Sequence, residues 1–559
     1  MQYQRPHHLD QMPLLTLLLC LAPLPHNLCA KVDIQGTNLR IEAWFDNETP
    51  ADGAKVKLLS NKKLLHEAVT DEKGLCSIPA PGAGSYTIDV NAGGGHRTEI
   101  TFTIEAAVDE QTVGADKESV FQRRWLGAFT GLVIICFFTI TTIYLKRKAK
   151  RMAAVSILFF MMMPLHADDS WTEFRGPNGS GIAPATCKPP TTWSEKENIR
   201  WKTAIHGKGW SSPVVLGNQI WITTAPEDGK ELFAMCLDAH TGSIVYDIKV
   251  FDVAKPEFCH ATNSYASCSP VIEPGRVYVH FGSYGTACLD TATGKKLWER
   301  RDFPCDHFRG PASSPAIFEN LLILTFDGVD QQYLAAVNKD TGETVWKKTR
   351  STDYMTSNGD NKKAYSTPGL FTINGQVQMV SPSAMATIAY NPRTGDELWS
   401  VRQGGMNAAA RVLHGGGHFY FTTGDGPTNL IAVPDQGASQ RPITWTNSKT
   451  VSKRSSPLLI NGLIYMVSDA GIVTCLDAAT GKEVWQKRYA GNFWASPIYA
   501  DGKLYIPNQE GNTLVLAAGK EYKLLAENKL DIGCTASPAV VGNGLLLRTR
   551  THLYRIEGK

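Results

Sequence analysis

One eleven-residue string recurs five times without gaps, and it constrains this chain more than any other feature. The copies are Cys236–Tyr246 (CLDAHTGSIVY), Cys288–Trp298 (CLDTATGKKLW), Ala336–Trp346 (AVNKDTGETVW), Ala389–Trp399 (AYNPRTGDELW) and Cys475–Trp485 (CLDAATGKEVW). Each has Asp or Asn third, Thr-Gly sixth and seventh, and an aromatic residue last. That is the pattern of a hairpin: the Asp or Asn side chain caps the turn, the glycine takes a positive φ, and the next strand delivers a large ring. Weaker copies end at Trp445 and within residues 523–529.

A second signal precedes each copy, a short strand opened by Ser-Pro or a variant: Ser212-Pro213, Ser269-Pro270, Ser314-Pro315, Thr367-Pro368, Ser456-Pro457, Ser496-Pro497 and Ser537-Pro538, with Ala410-Arg411 as the degenerate eighth. Successive spacings are 57, 45, 53, 43, 46, 40 and 41 residues. Such a period, with four short strands per unit, predicts an all-β fold, an eight-bladed β-propeller over residues 168–559. Seven blades is the alternative if the unit 408–445 is an insertion. Few residues follow Pro538, so the last blade is expected to take its outer strand from residues 198–203. That closure removes the free edges of an open sheet.

The string Asp-x-x-Thr-Gly-x-x-x-Trp resembles the tryptophan-docking repeat of quinoprotein (PQQ-type) propellers. The resemblance implies one of two branches, PQQ-dependent alcohol dehydrogenases or non-enzymatic propellers such as the lipoproteins of outer-membrane assembly. The chain is most similar to secreted PQQ-binding-like repeat proteins of unassigned activity. The dehydrogenases share an adjacent Cys-Cys pair over the quinone, and no adjacent cysteines occur here. A binding or scaffold module without a cofactor or metal is therefore expected, with no catalytic residue assigned. A periplasmic dehydrogenase using PQQ and calcium is the alternative and is not favoured.

In a propeller, the loops entering the innermost strands and the turns between second and third strands emerge on one face. Binding usually resides in loops held on a rigid scaffold. The candidate ligand-binding residues are thus Trp210, His260, Asn263, Tyr265, His307, Arg309, Asp327, Asp330, Tyr365, Asn407, Arg454 and Trp494. Two arginines and two histidines beside aromatic rings suit a polar or anionic ligand, or a protein partner presenting one, at the channel mouth. His414 and His418 have i,i+4 spacing on a glycine turn, which argues a turn and not a metal site. The Gly-rich run 176–181 follows no strand and opens no helix, so a phosphate loop is not expected. Cys259 and Cys305, in neighbouring blades, are a candidate disulfide pair in an exported domain.

Residues 1–30 read as a signal peptide cleaved after Ala30. Short alternating segments at 39–45, 54–60, 85–90 and 97–104 predict a β-sandwich over 31–106. Its Thr70-Asp71-Glu72-Lys73-Gly74 turn and Gly84-Ser85-Tyr86 start resemble the carboxypeptidase-regulatory or prealbumin-like module. Residues 107–122 form a tether. Residues 123–151 hold a transmembrane helix at 126–145 with a basic flank, and 152–167 form a second signal-like segment. The expected location is a cell membrane, with both β domains on the extracytoplasmic (periplasmic) side. Fifty-six basic against fifty-three acidic residues give a net charge of +3. That balance argues against nucleic acid as a partner.

Overall fold

The computed structural model describes residues 28–35, 37–45, 49–61, 63–93, 96–104 and 170–558. The leader core, the tether, the apolar run 126–145 and the segment 152–167 lie outside these residues. Among the described residues no helix is long and apolar enough to cross a membrane. The chain divides into two compact units, residues 1–152 and 153–559.

The first unit is two antiparallel sheets. One has three strands (Leu28–Gln35, Asn38–Phe45, Leu75–Pro79) and the other four (Lys63–Val69, Lys55–Ser60, Gly84–Gly93, His96–Ile104). Period-two alternation sends Leu39, Ile41, Val56, Leu58, Ile88 and Val90 into a shared core. Asp71 accepts from the N–H groups of Lys73 and Leu75 and caps the predicted turn. The first strand begins at Leu28, so it takes in three residues that the cleavage reading assigns to the leader.

In the second unit, eight four-stranded antiparallel sheets follow one another among the described residues. They cover residues 214–252, 271–300, 316–349, 369–402, 413–447, 458–488, 498–529 and 539–556, and are numbered first to eighth here. The eighth takes its outer strand, Ile199–Ala204, from before the first sheet, as the closure argument predicts. This is a β-propeller.

The repeat residues form the joints between sheets. The indole N–H of Trp201, Trp298, Trp346, Trp445 and Trp485 each donates to a carbonyl in the turn of the following sheet, at Ala239, Lys339, Pro392, Ala478 and Gly519 (2.9–3.1 Å). The Tyr246 hydroxyl does the same to Ala292. The Thr-Gly glycines lie flat on these rings. A Cβ at Gly242, Gly342 or Gly481 would come within 2.8 Å of Trp201, Trp298 or Trp445. Glycine thus serves twice, for positive φ and for close approach. Trp399 departs from the pattern: the fifth sheet has no Thr-Gly turn, and its indole donates to Gln378 (2.7 Å).

The serine of each Ser-Pro links the innermost strands. The N–H groups of Ser212, Ser269 and Ser314 donate to the hydroxyls of Ser269, Ser314 and Thr367 (2.8–2.9 Å). Those of Arg411, Ser456 and Ser496 donate to Ser456, Ser496 and Ser537 (2.9–3.0 Å). Each bond satisfies a buried backbone donor at the front of a strand, where the sheet ladder cannot reach it.

Residues 171–183 plug the space these strands enclose. Trp171 exchanges both backbone bonds with Val215 of the first sheet, and Thr172 accepts from Ile272 of the second. Gly181 and Ala183 bond to Tyr499 of the seventh. Arg175, fully buried, donates to the carbonyls of Ser456, Pro457 and Pro497 (2.8–3.3 Å). Arg411, which takes the serine's place in this sheet, one residue later than the Ala410-Arg411 reading puts it, reaches the carbonyl of Phe174 and the Glu173 carboxylate (both 2.7 Å). Gly179 (φ +62°) lies against that guanidinium and leaves no room for a Cβ. The Gly-rich run is a close-packed plug, and the degenerate repeat that opens the fifth sheet is its anchor.

Candidate functional site

Above the plug lies a cavity of about 190 Å³ with Phe174 in its lining. For scale, a cavity of about 150 Å³ admits benzene. The entering loops face the channel mouth: of the eight positions three residues before each Pro or its equivalent, seven line the cavity, Trp210, Ser267, Ala312, Tyr365, Arg454, Trp494 and Thr535. At the eighth, the neighbours Asn407 and Ala409 take that role.

Seven of the twelve candidate residues line this cavity: Trp210, Asn263, Arg309, Tyr365, Asn407, Arg454 and Trp494. Arg454 lies over the Trp494 ring, 4.7 Å from its centroid, and is paired with Asp469. Asn263 donates to the Arg309 carbonyl (2.9 Å) and shapes that loop. The Asn407 amide donates to Asp425 (3.1 Å), which also meets Lys453 (3.1 Å). Burial pushes the Asp425 carboxyl up, but hydrogen bonds from Lys453 and Asn407 more than reverse this, and it sits below its ordinary range.

The other five lie outside the lining. His260 meets the hydroxyl of Thr262, itself a lining residue (2.7 Å); burial and then the charges of Arg309 and Arg454 hold its pKa down. Tyr265 donates to the Glu257 carbonyl (2.7 Å) and faces a separate cavity of about 30 Å³. His307 is buried and pushed down to about 4 by that burial. Its Nε2 accepts the N–H of Ser283 (3.2 Å), which leaves the proton on Nδ1, facing Cys305 Sγ at 3.7 Å. Asp327 forms a bidentate pair with Arg350 (2.6 and 2.7 Å), both side chains at most 1% exposed. The turn folds it inward because a desolvated guanidinium needs a carboxylate there. Asp330 accepts from the N–H groups of Asp306 and Gln331 (both 2.8 Å), a turn cap. Cys259 and Cys305 are both thiols in the structure, not a disulfide.

Sequence reasoning did not name Phe174, Lys453 or the Ser-Pro serines as site residues. Lys453 had a usable signal, its place beside Arg454 before Ser456-Pro457. Phe174 had none, because nothing local shows that its segment crosses the channel.

The cavity and its rim are cationic. Arg309, Lys363, Lys453 and Arg454 gather there against Asp360, Asp425 and Asp469. Burial, and then the Arg309 charge, lowers Lys363 to about 8. Among the described residues, three lining side chains carry buried polar atoms with no protein partner: Trp210 Nε1, Arg309 Nε and Asn407 Oδ1. A calcium ion does not fit this lining, where no three metal-ligating side chains gather among the described residues. Asp327 and Asp330 are engaged elsewhere, and Asp425 lies among Lys453 and Arg454, where a divalent cation would have to displace an ammonium.

Fold and repeat joints together define a quinoprotein-type β-propeller. The chain belongs to the family described as outer membrane protein assembly factor BamB, whose model matches residues 192–301, 270–487 and 461–551. It is 25% identical over 243 residues to the Shewanella oneidensis protein of that name, covering 40% of this chain and 58% of that one. It is 23% identical over 266 residues to tetrathionate hydrolase of Acidithiobacillus ferrooxidans, covering 44% of this chain and 50% of that one. The chain thus spans little more than half of these relatives. Quinohemoprotein alcohol dehydrogenase from Comamonas testosteroni superposes with a TM-score of 0.50 at 12% identity, over 70% of this chain and 81% of that one. That likeness concerns the fold alone.

Proposed function

We propose that the second unit is an eight-bladed propeller that binds a polar or anionic ligand, free or displayed by a protein partner, in the cavity at its mouth. The single observation behind this is the set of unpartnered buried polar atoms, Trp210 Nε1, Arg309 Nε and Asn407 Oδ1, in a cavity flanked by cations. Buried polar groups in folded proteins nearly always have partners, so atoms like these mark where a ligand or bridging water completes the shell. A protein partner gains support from Phe258 and Phe308, 61% and 41% exposed and 5.9 Å apart, in the loops that carry His260 and Arg309. The name borne by the family, an assembly factor, agrees with that reading. On this proposal the module is exported and membrane-associated through residues 126–145, with the β domains outside the cytoplasm.

The test is a melting-temperature screen of the full chain against dicarboxylates and tripeptides with free or amidated C-termini. Compounds that raise the melting temperature of the parent chain are expected to lose that effect in the double variant Arg309→Gln/Arg454→Gln. An undiminished shift in the variant removes the site assignment. Protease protection in intact cells tests the location separately.

A further inference from the structure

The throat below the mouth has a chemistry of its own. A serine or threonine hydroxyl offers one O–H donor and two acceptor sites. Ser269, Ser314, Thr367, Ser496 and Ser537 each accept the N–H of a neighbouring sheet, and none of them donates to an acceptor among the described residues. All five line the cavity while being at most 6% exposed. They form an arc over the second, third, fourth, seventh and eighth sheets. Ser212 of the first sheet, also in the lining, stands between Ser537 and Ser269, and the plug covers the fifth and sixth sheets, bonding Ser456 through Arg175 and anchoring on Arg411.

Charge points the same way. Arg175 and Arg548 are buried guanidiniums with no carboxylate partner among the described residues. Arg175 donates only to carbonyls, and it follows Phe174, which lines the cavity. Arg548 donates only to the carbonyl and hydroxyl of Ser211, next to the lining residue Ser212 (3.0 and 2.5 Å). Burial lowers both to about 9. A buried cation without a counter-charge is costly, and an anion nearby offsets the cost.

We propose that the throat is an oxyanion seat: a carboxylate, phosphate or sulfate group enters through the mouth and rests against the five hydroxyls, in the field of Arg175 and Arg548. This rests on the cavity reading above and adds which part of the ligand goes deepest. An acceptor-only group matches an arc of unused O–H donors, and its negative charge suits the field of the two buried guanidiniums, which would repel a cationic group. Because the plug closes the far end, the anionic group must terminate the ligand.

The experiment titrates the full chain with inorganic sulfate, inorganic phosphate and acetate at constant ionic strength. The signal is tryptophan fluorescence, since Trp210 and Trp494 line the cavity. A saturable change is expected with at least one anion. Ser314→Ala/Thr367→Val is expected to weaken it about tenfold or more, the size of losing charge-assisted hydrogen bonds. Thr367→Ser, which keeps donor and acceptor, should leave it unchanged. If the double variant fails to fold by circular dichroism, Ser537→Thr replaces it, keeping the ring bond and adding a methyl to the throat; it too should weaken binding. No saturable change with any anion overturns the seat. Unaltered binding in the folded throat variants overturns it as well. Loss only in Arg309→Gln/Arg454→Gln would put the anion at the mouth, overturning the seat while leaving the proposed function standing. Competition between sulfate and tripeptides with free C-termini, absent with amidated ones, distinguishes a polypeptide end from a free acid as the source.

Discussion

Two pairs of arginines near the propeller axis differ in what surrounds them. Arg175, on the plug, and Arg411, which anchors it, direct their guanidinium groups at backbone carbonyls and Glu173, and both are at most 2% exposed. Arg309 and Arg454, at the mouth, pair with single carboxylates, Asp360 at 3.9 Å and Asp469, and keep about a third of their side-chain surface open. The first pair holds chain to chain. The second faces a cavity with donors to offer. Residue type is the same; the number of protein partners and the access to solvent separate an arginine that is spent on the fold from one with donors left over.

The sharpest way to break that contrast is Arg175→Met. It leaves the carbonyls of Ser456, Pro457 and Pro497 without their donor, and the expected loss is about 3 kcal/mol or more of unfolding free energy. Denaturant melts of the full chain measure it; an unchanged midpoint for the second unit would mean the plug is dispensable. Asp327→Asn should cost a similar amount, about 3–5 kcal/mol, because Arg350 is left as a lone buried charge. Ligand shifts at the mouth should persist in that variant, since Asp327 lies outside the cavity lining.

A smaller effect depends on pH. Burial lowers His307 to about 4 and His280 to about 3, from an ordinary 6.5. Below 6.5 the unfolded chain therefore binds more protons than the folded one. Their contribution is fully present above pH 6.5 and is lost as pH falls toward 4, at up to about 1.4 kcal/mol per pH unit for each histidine. Urea melts from pH 7.5 to 4.5 should show the decline, and His307→Gln should reduce its slope. The smallest effect is expected at a repeat joint. Trp298→Phe keeps most of the ring but loses the bond to the Lys339 carbonyl, about 1 kcal/mol. Trp399→Phe should leave the joint between the fourth and fifth sheets intact, because its indole donates within its own sheet.

Much of this was legible in the chain because a repeat is read many times over. The Thr-Gly turns, the trailing indoles, the Ser-Pro starts and the closing strand at Ile199–Ala204 are local patterns whose geometry follows from turn chemistry and strand alternation. The ring of positions before each proline was legible for the same reason: equivalent places in equivalent sheets must converge on one axis. Asp327 was not, since a turn carboxylate looks the same in sequence whether it faces solvent or Arg350. Phe174 and Arg175 were not, since their partners are hundreds of residues away.

The amino-acid sequence by itself determined the sheet-forming repeat, its spacing and which positions face the axis, because strand period and turn residues are short-range properties. Only the tertiary structure decided which of those positions keep an unpartnered donor or acceptor. That depends on long-range packing: a buried polar group is satisfied or left available by whatever the remote chain brings against it, as residues 171–183 do at one end of the channel and leave undone at the other.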